Sequence, residues 1–135
     1  MCGIVAIYSA REPIRADLLE RATVRLAHRG PDGQRTWLSA DHRVGLGHAR
    51  LSIIDLATGA QPIASEDEAL QIVVNGEFYD FERTQRDLEG RGHRLRTRSD
   101  SEIALHLYED FGTACLRQLR GEFAFVAAGG HAGRK

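Results

Sequence analysis

The second residue of the chain, Cys2, offers a nucleophile that carries its own base. Once Met1 is removed, one residue presents both a thiol and a free α-amine. A free α-amine has a pKa of about 7.7 to 8.0 and a cysteine thiol one of about 8.5, so proton transfer between them is nearly balanced at neutral pH. A lysine amine, at about 10.4, stays mostly protonated and is a poor base. The pair therefore predicts nucleophilic catalysis, against the alternative of an incidental buried cysteine.

Composition narrows the class of protein and its partners. The 135 residues are 42% hydrophobic and 27% charged, which suits one soluble globular domain with a sizeable core. Acids and bases interleave and the net charge is -1, so we expect neither a nucleic acid nor a membrane as partner. Cys2 and Cys115 are the only cysteines, which argues against a disulfide framework and a zinc site. The start lacks the features of a signal peptide, so we expect a cytoplasmic protein.

Hydrophobic periodicity predicts strands and helices that do not alternate strictly. This favours a mixed or antiparallel α+β fold over a doubly wound parallel sheet. The predicted strands are 4–8, 34–38, 44–54, 70–74, 93–97 and 121–128. The predicted helices are 14–26, 81–89 and 99–111, followed by a short helical piece around 115–119, and residues 129–135 are predicted to form a loose tail.

Several local signals stand out along these elements. Ser99 and Glu102 have the spacing of a capping box at the start of a helix. Glycines at 45 and 47 are costly in a strand unless another backbone or a ligand comes close, so they indicate a crowded position. Asn75-Gly76 is by local rules a hairpin signal, although no alternating strand follows it. The arginines at 94, 96 and 98 fit a phosphate-binding patch less well than a solvated edge, because acids lie close in sequence.

Seven short stretches carry a resemblance when they are taken together in order. They are Met1-Cys2-Gly3-Ile4, His28-Arg29-Gly30-Pro31-Asp32, His48 through Asp55, Gly59-Ala60-Gln61-Pro62, Val74 through Tyr79, Ser99-Asp100-Ser101-Glu102 and Gly121-Glu122-Phe123-Ala124-Phe125. The chain resembles the class II, N-terminal-nucleophile glutamine amidotransferases, and within them the amidotransferase half of glutamine-hydrolysing asparagine synthetases. The resemblance implies antiparallel sheets layered between helices (αββα), with residues 1–128 forming a partial amidotransferase domain.

The resemblance also implies the catalytic roles. Cys2 attacks the side-chain amide carbon of glutamine, its α-amine transfers the proton, and water cleaves the resulting thioester. Asn75 and Gly76 supply hydrogen-bond donors to the oxyanion through a side-chain amide and a backbone N–H. Alone, that pair would be read as an ordinary turn. A triad with His28 or His48 is not needed, because the α-amine already serves as the base.

Recognition of glutamine is implied to depend on its own charged groups. Arg50 offers a planar fork to the α-carboxylate, and Asp100 offers a carboxylate to the α-ammonium. The competing interpretations are an exposed strand arginine and a first-turn acid favoured by the helix dipole. The rest of the glutamine pocket is implied to come from backbone groups of Leu51, Ser52, Ile53, Ile54 and Glu77.

One departure from the family pattern affects the expected activity. In the family, the strand that begins at Gly121 continues into further strands and then into an ATP-using synthetase domain, which this sequence does not contain. We therefore expect no cofactor or metal in this chain, with ATP and Mg²⁺ belonging to a synthetase domain or subunit, and L-glutamine as the ligand. A truncated domain would make no asparagine and would hydrolyse glutamine weakly or not at all. Two alternatives stay open: a silent remnant that binds glutamine or a partner, and a non-functional fragment.

Overall fold

The computed structural model describes residues 1–53 and 56–129, which form two antiparallel sheets and the helices that cover them. The first sheet has the order β1 (Gly3–Tyr8), β3 (Val44–Arg50), β2 (Gly33–Leu38). The second has the order β4 (Ile63–Ala64), β5 (Leu70–Phe78), β6 (Gly121–Gly129). The helices are α1 (Ala16–Val24), α2 (Phe81–Gly90) and α3 (Glu102–Phe111), followed by a 3-10 helix over Gly112–Arg117.

The layers follow the predicted αββα order. Helix α1 packs on β1, β2 and β3, helix α3 packs on β4 and β5, and β5 contacts β1 and β3 across the space between the sheets. The predicted α+β sandwich is thus confirmed. Strand β6 pairs with β5 and lies at the edge of its sheet within the described residues. Residues 130–135 of the predicted tail lie outside the described ranges, and across those ranges we find no helix with the length and apolar character needed to cross a bilayer.

The predicted crowding at the glycines of β3 is explained by helix α1. A Cβ atom placed on Gly47 would lie 2.1 Å from Oγ1 of Thr23, whose hydroxyl donates to the Leu19 carbonyl at 2.8 Å. The missing side chain lets the helix approach the sheet closely. The close neighbour is therefore a helix, and the other face of β3 remains available to line a site.

Strand β5 divides its side chains between two layers. Leu70, Ile72, Val74 and Phe78 belong to the hydrophobic cluster built on α3. Because side chains alternate along a strand, the residues between them face the first sheet. Val73 on that face is fully buried. Asn75 and Glu77 share this face and so point into the space between the sheets.

Two predicted strands have different ends in the structure. Strand β3 stops at Arg50, not at residue 54, because its neighbour β2 begins opposite it at Gly33. The chain then turns away, with the Ser52 N–H donating to the Asp32 carboxylate at 2.7 Å. Strand β5 runs through Asn75-Gly76 to Phe78, so the interpretation of this pair as a hairpin turn is wrong.

The strand predicted over residues 93–97 is wrong. Carboxylates of other residues take the backbone N–H groups that a neighbouring strand would have used: Glu66 accepts from Arg94, and Glu102 accepts from Arg96 and Thr97. The predicted capping box is wrong for the same reason. Helix α3 begins at Glu102, whose side chain turns back to this segment.

Replacing Gly76 with alanine should destabilise the fold. Gly76 has a φ of +141°, and a Cβ atom there would lie 2.1 Å from the Glu122 carbonyl oxygen of β6. Overpacking of this kind typically costs about 1–3 kcal/mol. Urea unfolding followed by circular dichroism measures the loss. Gly90→Ala is the matched control, since a Cβ atom there meets nothing within 4 Å. Equal stability of the two variants would contradict the expectation.

Candidate active site

A cavity of about 220 Å³ lies between the two sheets and joins residues that are far apart in the sequence. The predicted site residues on its lining are Cys2, Arg50, Leu51, Ile53, Gly76, Glu77 and Asp100. Two further predicted residues, Ser52 and Asn75, are not on the lining, and Ile54 lies outside the described residues. The lining thus includes a thiol, a guanidinium group and several carboxylates, with strand backbone between them.

Cys2 is held at the cavity through both its side chain and its backbone. The Leu51 N–H donates to Sγ at 3.3 Å, and the thiol lies 3.7 Å from the Leu51 carbonyl oxygen. Arg29 donates from Nε to the Cys2 carbonyl at 3.1 Å. Met1 still precedes Cys2 and is 72% exposed, so its removal would free the Cys2 amine without disturbing the core.

Along the edge of β5 that faces the cavity, side chains from other segments accept hydrogen bonds from two backbone N–H groups. The Val74 N–H donates to Oε1 of Gln61 at 2.6 Å, and the Phe78 N–H donates to Oδ2 of Asp100 at 2.8 Å. These two N–H groups point the same way, away from β6. In an antiparallel pair, N–H groups alternate between the two sides of the strand.

Gly76 lies between those two residues, so its N–H points to the cavity as well. The next residue beyond Phe78, Tyr79, donates to the Arg120 carbonyl at 2.8 Å, which confirms that the odd-numbered positions bond toward β6. Within the described ranges, no side chain is recorded as an acceptor for the Gly76 N–H. This N–H is therefore a donor available to a molecule in the cavity.

Asn75 retains hydrogen-bonding capacity in the interior. Its Oδ1 is buried and has no partner within the described residues. A buried polar atom without a partner costs about 1–3 kcal/mol, and a side-chain amide has donors and an acceptor to offer. A half-turn of the amide exchanges its oxygen and its NH₂ group. The Asn75 amide can therefore offer either group to a partner within this interior space, although Asn75 is not itself on the cavity lining.

Asp100 provides a buried negative charge on the cavity wall. It is 4% exposed. Burial raises the pKa of this carboxyl above its ordinary value and the charge of Glu77 raises it further, although hydrogen bonds from the Phe78 and Ser101 N–H groups oppose the rise. A cationic ligand next to this carboxyl group would stabilise its ionised form. Arg50, on the same cavity, contributes a positive group and donates to the Leu56 carbonyl at 3.4 Å.

Comparison with known proteins identifies the family. A family model described as a glutamine amidotransferase domain matches residues 1–132. The chain belongs to this family. This amidotransferase domain is 45% identical over 130 residues to a probable glutamine-hydrolysing asparagine synthetase of Dictyostelium discoideum, covering 93% of the chain and 23% of that protein. It is 43% identical over 138 residues to amidase chry2 of Gibberella zeae, covering 93% of the chain and 20% of that protein.

A solved structure shares the fold. Glutamine phosphoribosylpyrophosphate amidotransferase from B. subtilis matches with a TM-score of 0.75 at 19% identity, covering 96% of the amidotransferase domain and 35% of that chain. At this identity the likeness shows that the two chains share a fold. The chain spans about a fifth of the length of the curated relatives that it matches.

His48 has a role in the amidotransferase domain that the sequence did not reveal. Burial lowers the pKa of its imidazole to about 4, against the opposing effect of its hydrogen bond to Val74, so the ring is neutral at neutral pH. Its Nε2–H donates to the Val74 carbonyl at 3.1 Å and ties β3 to β5 across the two sheets. His28 is exposed, bonds to the Arg25 carbonyl at 3.0 Å and is not on the cavity lining.

Gln61 also lines the cavity and was missed as a site residue. It is 6% exposed, and its amide accepts from Val74 and donates to the Ser101 hydroxyl at 3.3 Å. It therefore holds the edge of β5 against the segment that precedes α3. The only signal in the sequence was the stretch Gly59-Ala60-Gln61-Pro62, which carried the resemblance without showing a role for any one residue.

Proposed function

We propose that this amidotransferase domain hydrolyses L-glutamine to glutamate and ammonia through a thioester on Cys2. The observation that supports it most is the composition of a single cavity: a thiol at position 2, the available N–H of Gly76, and the charged groups of Arg50 and Asp100. The thiol supplies the nucleophile, the N–H stabilises the developing charge, and the charged pair matches the α-carboxylate and the α-ammonium of an α-amino acid.

The reaction begins with removal of Met1, which frees the α-amine of Cys2. The amine takes the thiol proton, and Sγ attacks the side-chain amide carbon of glutamine. The oxyanion that forms accepts hydrogen bonds from the Gly76 N–H and the Asn75 amide. The ammonium returns its proton to the nitrogen that leaves as ammonia. Water then adds to the thioester, releasing glutamate and restoring the thiol.

Recognition of glutamine uses charge at one end of the molecule. The Arg50 guanidinium pairs with the α-carboxylate, and Asp100 with Glu77 beside it pairs with the α-ammonium. Backbone groups of the segment that follows β3 complete the pocket, a role we assign to Leu51, Ser52, Ile53 and Ile54. Amides without a free α-amino acid group lose one of these ion pairs and bind weakly.

The ammonia would be used by a synthetase domain or subunit that amidates aspartate with ATP and Mg²⁺. Two observations support this wider role: relatives named asparagine synthetases, and the small fraction of their length that the chain spans. We place the protein in the cytoplasm, where a reducing environment keeps Cys2 as a thiol.

Release of ammonia, together with the carboxylic acid that corresponds to each substrate, from a set of related amides tests the proposal. The Met1-free chain is used in stoichiometric amounts, so that slow turnover is still detected, with L-glutamine, N-acetylglutamine, glutamine α-amide and asparagine. Glutamine should react fastest, because it alone satisfies both charged groups at the right chain length. Equal rates on all four amides would contradict the proposal. Binding of glutamine without any hydrolysis would favour the silent binding remnant.

Asp100→Asn should weaken glutamine binding without lowering stability. Loss of a hydrogen bond to a charged group costs about 1.5–3 kcal/mol, or about 10- to 150-fold in affinity. The pKa of Asp100 is higher in the folded state than in the unfolded state, so ionising this carboxyl group lowers the free energy of unfolding. This loss of stability disappears as the pH falls and the carboxyl group becomes protonated in both states. The neutral variant should thus melt at the same temperature as the parent or higher at neutral pH.

Calorimetric titration with glutamine and with N-acetylglutamine measures this effect, alongside a thermal melt. The preference for glutamine over N-acetylglutamine should shrink in Asp100→Asn. Arg50→Ala is the matched variant, and it should instead reduce the preference for glutamine over its α-amide. A loss of stability that parallels the loss of binding in Asp100→Asn would contradict the assignment.

A further inference from the structure

We propose that Glu102 is a positioning residue that shapes the glutamine site by fixing the segment of residues 96–101. The inference rests on the proposed function, since it concerns how Asp100 is placed for the α-ammonium of glutamine. It assigns a role to a side chain that does not touch the cavity. Glu102 is not on the cavity lining, whereas Ser99, Asp100 and Ser101 are.

Glu102 is fully buried, and its carboxylate is satisfied by the segment that precedes α3. Oε1 accepts from the Arg96 N–H at 2.7 Å, and Oε2 accepts from the Thr97 N–H at 2.7 Å and the Thr97 hydroxyl at 2.6 Å. A buried charge is tolerated only when it is paired and hydrogen-bonded. Burial raises the pKa of Glu102, but its hydrogen bonds with His106, Thr97 and Arg96 outweigh that effect and lower it.

The contacts continue from Glu102 to the cavity wall. Oγ1 of Thr97 accepts from the Ser99 N–H at 3.1 Å, and Oγ of Ser99 accepts from the Ser101 N–H at 3.2 Å. Asp100 lies between these two serines and caps the Phe78 N–H of β5. Residues 93–98 belong to no helix or strand, so side-chain contacts such as these determine the path of the segment.

On its other side, Glu102 is anchored within α3. His106 is fully buried and lies between two carboxylates, with Nε2 3.2 Å from Glu102 and Nδ1 2.8 Å from Glu109. Burial alone lowers the pKa of His106, but these two carboxylates raise it above its ordinary value. Among the recorded contacts of the described residues, Glu109 reaches His106 and His93 and none of residues 96–101. Glu109 is therefore a matched control for Glu102.

Close to Glu102, one potential metal-binding atom from each of Glu66, His93 and His106 lies within 4.8 Å of the other two. This spacing is compatible with a metal ion. Both nitrogens of His106 already contact carboxylates at hydrogen-bonding distance. A hydrogen-bonded network accounts for this ring without a metal ion. The geometry thus favours positioning through Glu102.

Four variants in a Cys2→Ala background, which should bind glutamine without consuming it, test the role of Glu102. Glu102→Gln keeps the shape and places an NH₂ group against backbone donors, and Thr97→Val removes the hydroxyl that links Glu102 to Ser99. Thr97→Ser restores that hydroxyl, and Glu109→Gln perturbs the same imidazole from its other side. The readouts are the glutamine dissociation constant, the hydrogen exchange rate of the Phe78 amide, and the thermal melt.

Glu102→Gln and Thr97→Val should each weaken glutamine binding by at least about tenfold, and should speed exchange of the Phe78 amide, because Asp100 no longer caps it. Glu109→Gln should stay within about twofold of the parent on both readouts even where it lowers the melting temperature. Thr97→Ser should behave as the parent. If Glu102→Gln does not fold, the comparison of Thr97→Val with Thr97→Ser decides.

Equal weakening in Glu109→Gln and Glu102→Gln would overturn the proposal, because both would then act through general stability. Unchanged binding and exchange in Thr97→Val would overturn it too. If the Cys2→Ala parent itself fails to bind glutamine, the proposed function is wrong, while exchange of the Phe78 amide still decides whether Glu102 positions Asp100.

Discussion

Replacing Cys2 with alanine should abolish glutamine hydrolysis while glutamine binding stays measurable. The variant loses the atom proposed to form the thioester, and removal of a nucleophile typically costs about four orders of magnitude or more in turnover. The charged groups proposed to bind glutamine, Arg50 and Asp100, are untouched. Single-turnover release of glutamate measures the loss, and calorimetry measures the binding that remains.

Cys115→Ala is the matched control for this experiment. Cys115 is the other cysteine of the chain, 1% exposed, and burial raises the pKa of its thiol. Its removal should cost packing energy without changing turnover per folded molecule. Turnover that survives in Cys2→Ala, or that is lost equally in Cys115→Ala, would contradict the assignment of the nucleophile.

Asn75→Ala should lower the rate of hydrolysis with little effect on glutamine binding or stability. Removing one oxyanion donor costs about 2.7–4 kcal/mol, or roughly 100- to 1000-fold in kcat. KM should change little, because the interaction is made only in the transition state. Since Oδ1 of Asn75 is buried without a partner among the described residues, alanine leaves no new unsatisfied group behind.

Val73→Ala separates this effect from general loosening of β5. Val73 is fully buried on the same face of the strand. Its truncation should lower the melting temperature without changing kcat per folded molecule, which is the reverse of the pattern expected for Asn75→Ala. Steady-state kinetics and thermal melts on both variants make the comparison. If Asn75→Ala lost activity only in proportion to its loss of folded protein, a role for Asn75 in the oxyanion hole would be contradicted.

Hydrophobic periodicity predicted most of the helices and strands and the α+β class, because it is a local signal that tertiary packing reinforces, whereas the αββα order of the layers was implied by the family resemblance. The amphipathic pattern before residue 26 became α1, and the apolar run from Leu70 became β5. The predictions that were wrong concern segments whose backbone N–H groups bond to side chains distant in the sequence. Residues 93–97 have the composition of a strand, but Glu66 and Glu102 take their N–H groups, and no local rule shows the arrival of a carboxylate from elsewhere.

The candidate site was predicted unevenly for a similar physical reason. The residue type and position of Cys2 indicate a nucleophile, and the family resemblance pointed to Arg50 and Asp100. The structure places all three on one cavity. By local rules Asn75-Gly76 favours a turn, but in the structure both residues pair with β6 as part of the long antiparallel ladder. The roles of His48 and Gln61 depend on contacts between the two sheets or with the segment before α3, so spacing along the sequence does not reveal them.

The claim that the α-amine of Cys2 is the catalytic base is tested most directly by measuring Met1 occupancy and turnover on the same preparations. Intact-mass spectrometry gives the fraction of chains that retain Met1, and glutamate release gives the rate. The rate should rise in proportion to the fraction that lacks Met1 and should extrapolate to zero when Met1 is fully retained, because an acylated amine cannot accept the thiol proton. Full-rate hydrolysis by a preparation in which every chain retains Met1 would contradict the claim.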